Sequence, residues 1–304
     1  MKRDFTLVTD FSRQEILELF RRAGQLKSET HAGIAHPLLQ GHNLAMLFQK
    51  PSTRTRVSFE VAMNQLGGHA LYLSPAEVGL GQRESVADVA RVLSRYCTAI
   101  MARVFGHDII VQLAAHAAVP VINGLSDLAH PCQVLGDLFT VIERKGDRDD
   151  LKVAFVGDGN NVANSWINLA SIWPVSLTLS TPPDYSPDAG IIERARAGEG
   201  GRIHITEDPH EAVRGADVIY TDVWASMGQE DEAAERQRVF ADYRVDRDLL
   251  KSADPDCLVM HCLPAHRGQE ITDDVIDGPH SVVFDQAENR LHIQKAILLK
   301  LLVD

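Results

Sequence analysis

The sequence that decides the fold is the stretch Pro51-Ser52-Thr53-Arg54-Thr55-Arg56. It follows an apolar run, 44–48, that is typical of a buried strand. Behind it, apolar residues recur at the spacing of one helix face, at Phe59, Ala62, Met63 and Leu66. A turn from strand to helix leaves the first backbone N–H groups of the helix free and adds the positive end of its dipole. Hydroxyl and guanidinium groups at such a turn predict a phosphate-binding site.

The same stretch has a plainer interpretation as an ordinary helix cap, with Ser52 or Thr53 capping and the arginines solvated. That interpretation fits poorly, because the N-terminal end of a helix repels the positive charges of Arg54 and Arg56. An anion held between the two arginines would remove the conflict, so the sequence favours an anion site. The stretch contains no glycine-rich loop, which excludes a phosphate site of the Walker type.

Composition limits the classes of partner. The chain has 304 residues and a formal net charge of −12, with 45% hydrophobic and 24% charged residues. An acidic balance argues against nucleic acid or an anionic membrane as a partner, and no apolar run reaches the length of a membrane span. The N-terminal residues have no apolar segment typical of a signal peptide, and the cysteines are widely spread. We therefore expect a cytoplasmic protein with reduced thiols.

Strand and helix patterns alternate along the whole chain, which predicts an α/β fold of two doubly wound parallel-sheet domains with an active-site cleft between them. The polar run 145–150 is the best boundary, giving domains 1–147 and 148–304. The first domain would bind the phosphate compound and the second its co-substrate. We expect a C-terminal helix at about 286–304 to pack back on the first domain. The predicted strands are 43–48, 69–73, 98–102, 118–122, 152–156, 175–180, 202–206, 217–222, 257–261 and 281–285.

Polar residues cluster at the predicted turns from strand to helix. Each has a structural explanation alone, but ligands in doubly wound sheets bind at the carboxyl ends of strands, so together they indicate a binding site. They are Ser52 to Arg56, Arg103, His130 and Gln133 in the first half, and Asn160, Asn161, Asp222 to Met227, His261 to Pro264 and Arg290 in the second.

Two other kinds of site are disfavoured. The run Gly157-Asp158-Gly159-Asn160-Asn161-Val162 is a weak dinucleotide motif, because Val162 replaces the third glycine and no acidic residue follows strand 175–180. Zinc ligation by His261, Cys262 and His266 is disfavoured because Pro264 interrupts them and no paired zinc spacing is present. We therefore expect no cofactor and no required metal.

These motifs, taken in order, resemble those of the ornithine carbamoyltransferase family within the aspartate/ornithine carbamoyltransferase superfamily, and the resemblance covers the whole chain. The Ser-Thr-Arg-Thr-Arg turn is typical of the superfamily, whereas the Ser-Met-Gly loop and His-Cys-Leu-Pro are typical of the ornithine family. The matching residues are Ser52 to Arg56, Gln82, Arg103, His130 to Gln133, Asp222, Ser226 to Gly228 and His261 to Pro264.

The resemblance implies transfer of the carbamoyl group of carbamoyl phosphate to the δ-amine of L-ornithine, giving citrulline and phosphate. It implies that carbamoyl phosphate is bound by Ser52, Thr53, Arg54, Thr55, Gln82, Arg103, His130, Gln133, Cys262, Leu263 and Arg290. It implies that ornithine is bound by Asn161, Asp222, Ser226 and Met227. The catalytic residues would be Arg54, Arg103, His130 and Cys262. Because Gln82 would reach a neighbouring subunit's site, the resemblance also implies a homotrimer or a multiple of trimers.

Some alternatives stay open at this stage. Either Cys262 or Asp222 could handle the proton of the attacking amine, which must react in its neutral form. A related enzyme acting on another amine, such as putrescine, would leave Asp222 and the Ser226-Met227 loop without a purpose. A non-catalytic binding protein of the same fold is disfavoured by intact polar residues at every motif.

Overall fold

The computed structural model describes residues 2–81, 83–198, 200–225 and 229–304. The chain divides into two compact units, one of Met1–Gly136 with Glu288–Asp304 and the other of Asp137–Ala287. Each contains a parallel sheet with helices in the connections, so the predicted class of two doubly wound α/β domains is confirmed. The assignment of one substrate to domain 1–147 and the other to domain 148–304 stays a prediction.

Nine of the predicted strands are present, and all but β4, which begins three residues later than predicted, begin within one residue of their predicted start. They are β1 Asn43–Phe48, β2 His69–Leu73, β3 Ala99–Arg103, β4 Val121–Leu125, β5 Lys152–Val156, β6 Ser176–Ser180, β7 Arg202–Thr206, β8 Val218–Thr221 and β9 Leu258–His261. The helices are α1 Arg13–His31, α2 Thr53–Gln65, α3 Pro75–Val78, α4 Val86–Tyr96, α5 His107–His116, α6 Pro131–Lys145, α7 Asn161–Ala170, α8 Ala189–Arg196, α9 Pro209–Ala212, α10 Ala233–Val239, α11 Arg247–Leu250, α12 Asp273–Ile276 and α13 Val283–Leu302.

The first unit has the strand order β2-β1-β3-β4, and every pair is parallel. Strand β3 is buried along its whole length, and β1 is buried from its second residue onward. Parallel strands covered on both faces require such continuous apolar sequence. The strand order reverses direction between β1 and β3, so the crevice expected at a topological switch point lies beyond Phe48 and Arg103.

The second unit has the strand order β7-β6-β5-β8-β9, again with parallel pairs. Here the order reverses between β5 and β8, and Val156 is paired with Thr221 at their carboxyl ends. The chain segments that follow these strands begin at Gly157 and Asp222. The switch-point rule therefore places the candidate crevice of this unit beside those two segments.

Local sequence explains how α1 begins. Ser12 caps the helix by accepting a hydrogen bond from the Glu15 backbone N–H, and the Glu15 carboxylate accepts one from the Ser12 backbone N–H. This reciprocal pair of hydrogen bonds is a capping box, which satisfies two backbone N–H groups at the start of the helix. At its other end α1 extends to His31, with Ala32 as its C-cap residue.

The predicted strand at 281–285 is wrong. Only Ser281 is bridged to Val259, and helix α13 begins at Val283. A short apolar run cannot be assigned to strand or helix by its periodicity alone. Residues 283–285 of this run form the first turn of a 20-residue helix, with Phe284 exposed and Val283 buried. No helix of the described residues has the length and apolar character needed to cross a membrane.

Candidate active site

The N-terminal end of α2 lies at the switch point of the first unit. Ser52 is the N-cap residue, and its Oγ accepts a hydrogen bond of 3.4 Å from the Thr55 backbone N–H. The cap therefore satisfies one of the N–H groups at the helix end. The remaining free N–H groups and the helix dipole favour an anion at this position.

Two guanidinium groups converge on the hydroxyl of Thr55. Arg103 Nη1 donates to Thr55 Oγ1 at 3.3 Å, and Arg290 Nη2 donates to the same oxygen at 3.1 Å. All three side chains are buried, with 7% exposure for Arg103 and 5% for Arg290. Two buried cations beside a helix N-terminus repel one another and the helix dipole. A multiply charged anion is the ligand that would compensate this arrangement.

His130 is buried next to these cations. Burial, together with the positive charges of Arg290 and Arg103, holds the pKa of its imidazole well below the ordinary value. The ring is therefore neutral near pH 7 and can donate one N–H hydrogen bond. Gln133, in the first turn of α6, is also buried in this unit.

The two arginines of the Ser-Thr-Arg-Thr-Arg turn behave differently. Arg56 is exposed, donates to Glu60 Oε1 at 2.9 Å and lies 4.1 Å above the Tyr72 ring centre. These contacts compensate the charge of Arg56 within the chain. The expectation of an anion held between Arg54 and Arg56 stays a prediction. Arg54 has no ion-pair partner within the part of the chain that the structure describes.

Arg290 lies elsewhere than expected. The sequence placed it at a strand-to-helix turn of the second half, but it lies inside α13, in the first unit. The wrongly predicted strand 281–285 is the reason for that error. Gly136 makes room for it, because a Cβ atom at that position would lie 3.2 Å from Arg290 Cγ.

In the second unit, Asp222 follows β8 and accepts hydrogen bonds on both carboxylate oxygens. Asn160 Nδ2 donates to its Oδ2 at 2.7 Å, and the Cys262 thiol donates to its Oδ1 at 2.9 Å. Asn160 is the N-cap of α7, and its Oδ1 accepts from the Val162 and Ala163 N–H groups. The segments after β5, β8 and β9 therefore meet through Asn160, Asp222 and Cys262.

His261, the last residue of β9, is fixed by a buried partner. Its Nε2 lies 3.0 Å from Glu270 Oε1, and both side chains are fully buried. Its Nδ1 accepts from the Leu263 N–H at 2.8 Å. Leu263 has a φ of 58°, a conformation that costs a non-glycine residue about 1–2 kcal/mol and persists only where surrounding contacts enforce it. The segment that carries Cys262 is thus held in one shape.

The donor atoms of Asp222, His261 and Cys262 lie within 4.8 Å of one another, so this group could hold a metal ion. Two of these donors are already engaged, His261 with Glu270 and Cys262 with Asp222. The expectation that the reaction requires no metal stays a prediction.

The structure separates the predicted site residues into two groups. Those in the first unit are Ser52, Thr53, Arg54, Thr55, Arg103, His130, Gln133 and Arg290. Those in the second are Asn161, Asp222, Cys262 and Leu263. Gln82, Ser226 and Met227 lie outside the described residues. Sequence reasoning included Asn160 in the candidate site but predicted no partner for it, and its amide donates to Asp222. It gave no site role to Glu270, which contacts His261, or to Gln286, which accepts from the His261 backbone N–H.

Comparison with known proteins decides the family. Residues 3–143 match the family described as "Aspartate/ornithine carbamoyltransferase, carbamoyl-P binding domain". Residues 149–301 match "Aspartate/ornithine carbamoyltransferase, Asp/Orn binding domain". The chain belongs to the aspartate/ornithine carbamoyltransferase family. Together the two matches span nearly the whole chain, as the motif order predicts.

Relatives that align with this carbamoyltransferase chain over nearly their whole length are named ornithine carbamoyltransferases. The ornithine carbamoyltransferase of Syntrophus aciditrophicus is 56% identical over 300 residues, which are 98% of this chain and 99% of the relative. That of Methanoculleus marisnigri is 53% identical and covers 99% and 97%. Among solved structures, the ornithine carbamoyltransferase from Pyrococcus furiosus is similar, with a TM-score of 0.95, 53% identity and coverage of 99% and 97%.

Proposed function

We propose that this chain transfers the carbamoyl group of carbamoyl phosphate to the δ-amine of L-ornithine, forming L-citrulline and phosphate for arginine synthesis. The observation that carries the proposal is identity of more than half of the residues, over nearly the whole chain, with relatives named ornithine carbamoyltransferase. Carbamoyl phosphate fits the first unit because a dianion would compensate Arg103, Arg290 and the end of α2.

In this proposal, carbamoyl phosphate is bound by Ser52, Thr53, Arg54, Thr55, Gln82, Arg103, His130, Gln133, Cys262, Leu263 and Arg290. Arg54 and the N–H groups of α2 bind the phosphate, whereas Thr55 and neutral His130 donate to the carbonyl oxygen. The expectation that both substrates meet in a cleft between the domains stays a prediction.

The proposed reaction is an addition to the carbonyl group followed by loss of phosphate, with no covalent bond to the enzyme. The neutral δ-amine attacks the carbonyl carbon, and a C–N bond forms as negative charge develops on the carbonyl oxygen. Arg103, Thr55 and His130 stabilise that oxyanion, and catalysis rests on positioning and on donors arranged before the reaction starts. The C–O bond to phosphate then breaks, and phosphate leaves with its negative charge compensated by Arg54.

The proton of the amine is assigned to the pair formed by Cys262 and Asp222. The thiol donates to Asp222 Oδ1 at 2.9 Å, so the sulfur can accept a proton from the amine as the thiol proton moves to the carboxylate. This relay gives both residues a role, where the sequence alone left a choice between them. It also places Cys262 among the catalytic residues Arg54, Arg103 and His130.

Ornithine recognition is assigned to Asn161, Asp222, Ser226 and Met227. Asp222 supplies the negative charge for the α-ammonium group, and Asn161 at the start of α7 supplies an amide donor for the α-carboxylate. We further propose a cytoplasmic homotrimer, or a multiple of trimers, in which Gln82 acts in a neighbouring subunit's site.

Initial rates of phosphate release, measured with ornithine and with putrescine, test which amine accepts the carbamoyl group. We expect a large preference for ornithine in kcat/KM, since putrescine has neither an α-ammonium nor an α-carboxylate. Equal or greater activity with putrescine would reassign the amine. No turnover with either amine would favour a binding protein of the same fold.

A further inference from the structure

A second cluster of ligand-type side chains lies in the first unit, apart from the residues assigned to catalysis. His31 is the last residue of α1, whereas Glu288 and His292 lie four residues apart on one face of α13. His31 Nε2 is 2.6 Å from Glu288 Oε1, and His292 Nε2 is 3.4 Å from the same oxygen. One donor atom from each residue lies within 4.8 Å of the other two.

The protonation states of this cluster suit a metal ion. Burial and the charge of Lys295 lower the pKa of His292 to about 4, so its imidazole is neutral at pH 7. Burial alone would raise the pKa of Glu288, but hydrogen bonds with His31 and His292 outweigh it and the pKa lies below its usual value. A neutral imidazole and an ionised carboxylate are the forms that bind metals, because ligands must first lose their protons.

The exposed fraction of the three side chains increases from His292 to Glu288 to His31, as expected for a site that an ion can reach. The side chain of His292 is 1% exposed, that of Glu288 38% and that of His31 60%. His292 Nδ1 has no partner among the described residues, so Nε2 is the ring nitrogen that faces the cluster. A buried ligand gives a fixed anchor, whereas two exposed ligands let an ion enter and let water complete its coordination.

The ligand types select the class of ion. Two imidazoles and one carboxylate form a three-ligand set that zinc uses with water in the remaining position. Imidazole favours zinc, cobalt, nickel and copper over calcium and magnesium, which prefer oxygen ligands. The charge of Lys295 opposes the ion, which limits the affinity but leaves the ligand geometry in place.

We propose that His31, Glu288 and His292 form a binding site for a divalent transition-metal ion of the zinc class, which links the C-terminal end of α1 to α13. An ion bound there replaces the hydrogen bonds at Glu288 by coordination bonds from two helices. Because only the folded chain brings α1 and α13 together, binding stabilises the folded state.

Isothermal titration of the untagged full-length chain with Zn²⁺ tests the site. The Cys262→Ser background removes the thiol of the other metal-capable group, Asp222, His261 and Cys262. In that background we expect one ion per chain. His31→Ala should weaken binding by about a hundredfold or more, since even the loss of an outer-shell partner costs about tenfold. His116→Ala, which alters an exposed histidine at the end of α5, is the matched control and should bind as the background does.

Two further measurements distinguish metal binding at this site from metal binding by the Cys262 thiol. Co²⁺ should give visible ligand-field bands without a thiolate charge-transfer band, and the bands should vanish in His31→Ala. Zn²⁺ at about a hundredfold excess over Kd should raise Tm by about 5 °C in the background and not in His31→Ala. Made in the wild-type chain, which keeps Cys262, His31→Ala should keep normal carbamoyl transfer. Absence of binding in the Cys262→Ser background, or equal binding by His31→Ala and His116→Ala, would overturn the site.

Discussion

Replacing Thr55 by valine removes a buried hydroxyl with little change in volume. That oxygen accepts hydrogen bonds from Arg103 at 3.3 Å and Arg290 at 3.1 Å. A hydrogen bond to a charged group contributes about 1.5–3 kcal/mol. Bound substrate offers the guanidiniums new acceptors, so we count one bond rather than two. A loss of about 1.5–3 kcal/mol lowers kcat/KM for carbamoyl phosphate by about 13- to 160-fold.

Thr55→Ser is the matched control, because it keeps the hydroxyl and loses only a methyl group. We expect its kcat/KM to stay within about fivefold of the wild type, since a methylene-sized change contributes under ~1 kcal/mol. Steady-state rates at saturating ornithine, with unfolding midpoints to confirm that both variants fold, make the comparison. If Thr55→Val retained wild-type kcat/KM, or if Thr55→Ser were equally impaired, the hydroxyl would not organise the two arginines.

Three other outcomes follow from the site. Asp222→Asn should raise the Kd for ornithine far more than that for carbamoyl phosphate, and equal changes in equilibrium titrations would remove Asp222 from ornithine recognition. Mixing inactive Gln82→Ala and Arg54→Ala chains should restore activity, because a hybrid trimer contains a site with neither change; demonstrated subunit exchange without recovery would contradict a role for Gln82 in a neighbouring site. Because the pKa of His130 is held well below 6.5, its ¹⁵N resonances should show no protonation between about pH 7.5 and 6. The imidazole of the unfolded chain does take a proton in that range, so the free energy that His130 contributes to folding should fall as the pH drops. A His130 titration near pH 6.5 would show that the ring is not neutral.

Most of the fold could be predicted from the sequence, because buried parallel strands appear in it as continuous apolar runs. β1 and β5 begin and end where the sequence predicts, and the capping pair Ser12 and Glu15 marks the start of α1. The C-terminal error has a physical cause. Residues 281–285 are apolar enough for a strand, and only contacts distant in sequence determine that α13 begins at Val283.

Part of the candidate site could also be predicted from the sequence, because it depends on where the strands end. Residues at strand ends can be found from the strand pattern, as Thr55, Arg103 and Asp222 show. Arg290 lies inside a helix, where no local signal separates a site residue from a surface residue. Glu270 was missed as a site residue, and the contact of Asn160 with Asp222 was not predicted, because both contacts depend on how separate loops pack.

The central claim is that this chain forms citrulline at the anion site of α2. The most direct measurement is the amount of labelled citrulline formed from ¹³C-carbamoyl phosphate and ornithine, by mass spectrometry, for the wild type, Arg54→Ala and Arg91→Ala. Arg91 is the control, an exposed arginine paired with Asp88 on the surface of α4. We expect labelled citrulline from the wild type and from Arg91→Ala, and a rate lower by about a thousandfold for Arg54→Ala, whose charge-assisted contact with phosphate is lost. Wild-type citrulline formation by Arg54→Ala, or none by the wild-type chain, would contradict the account.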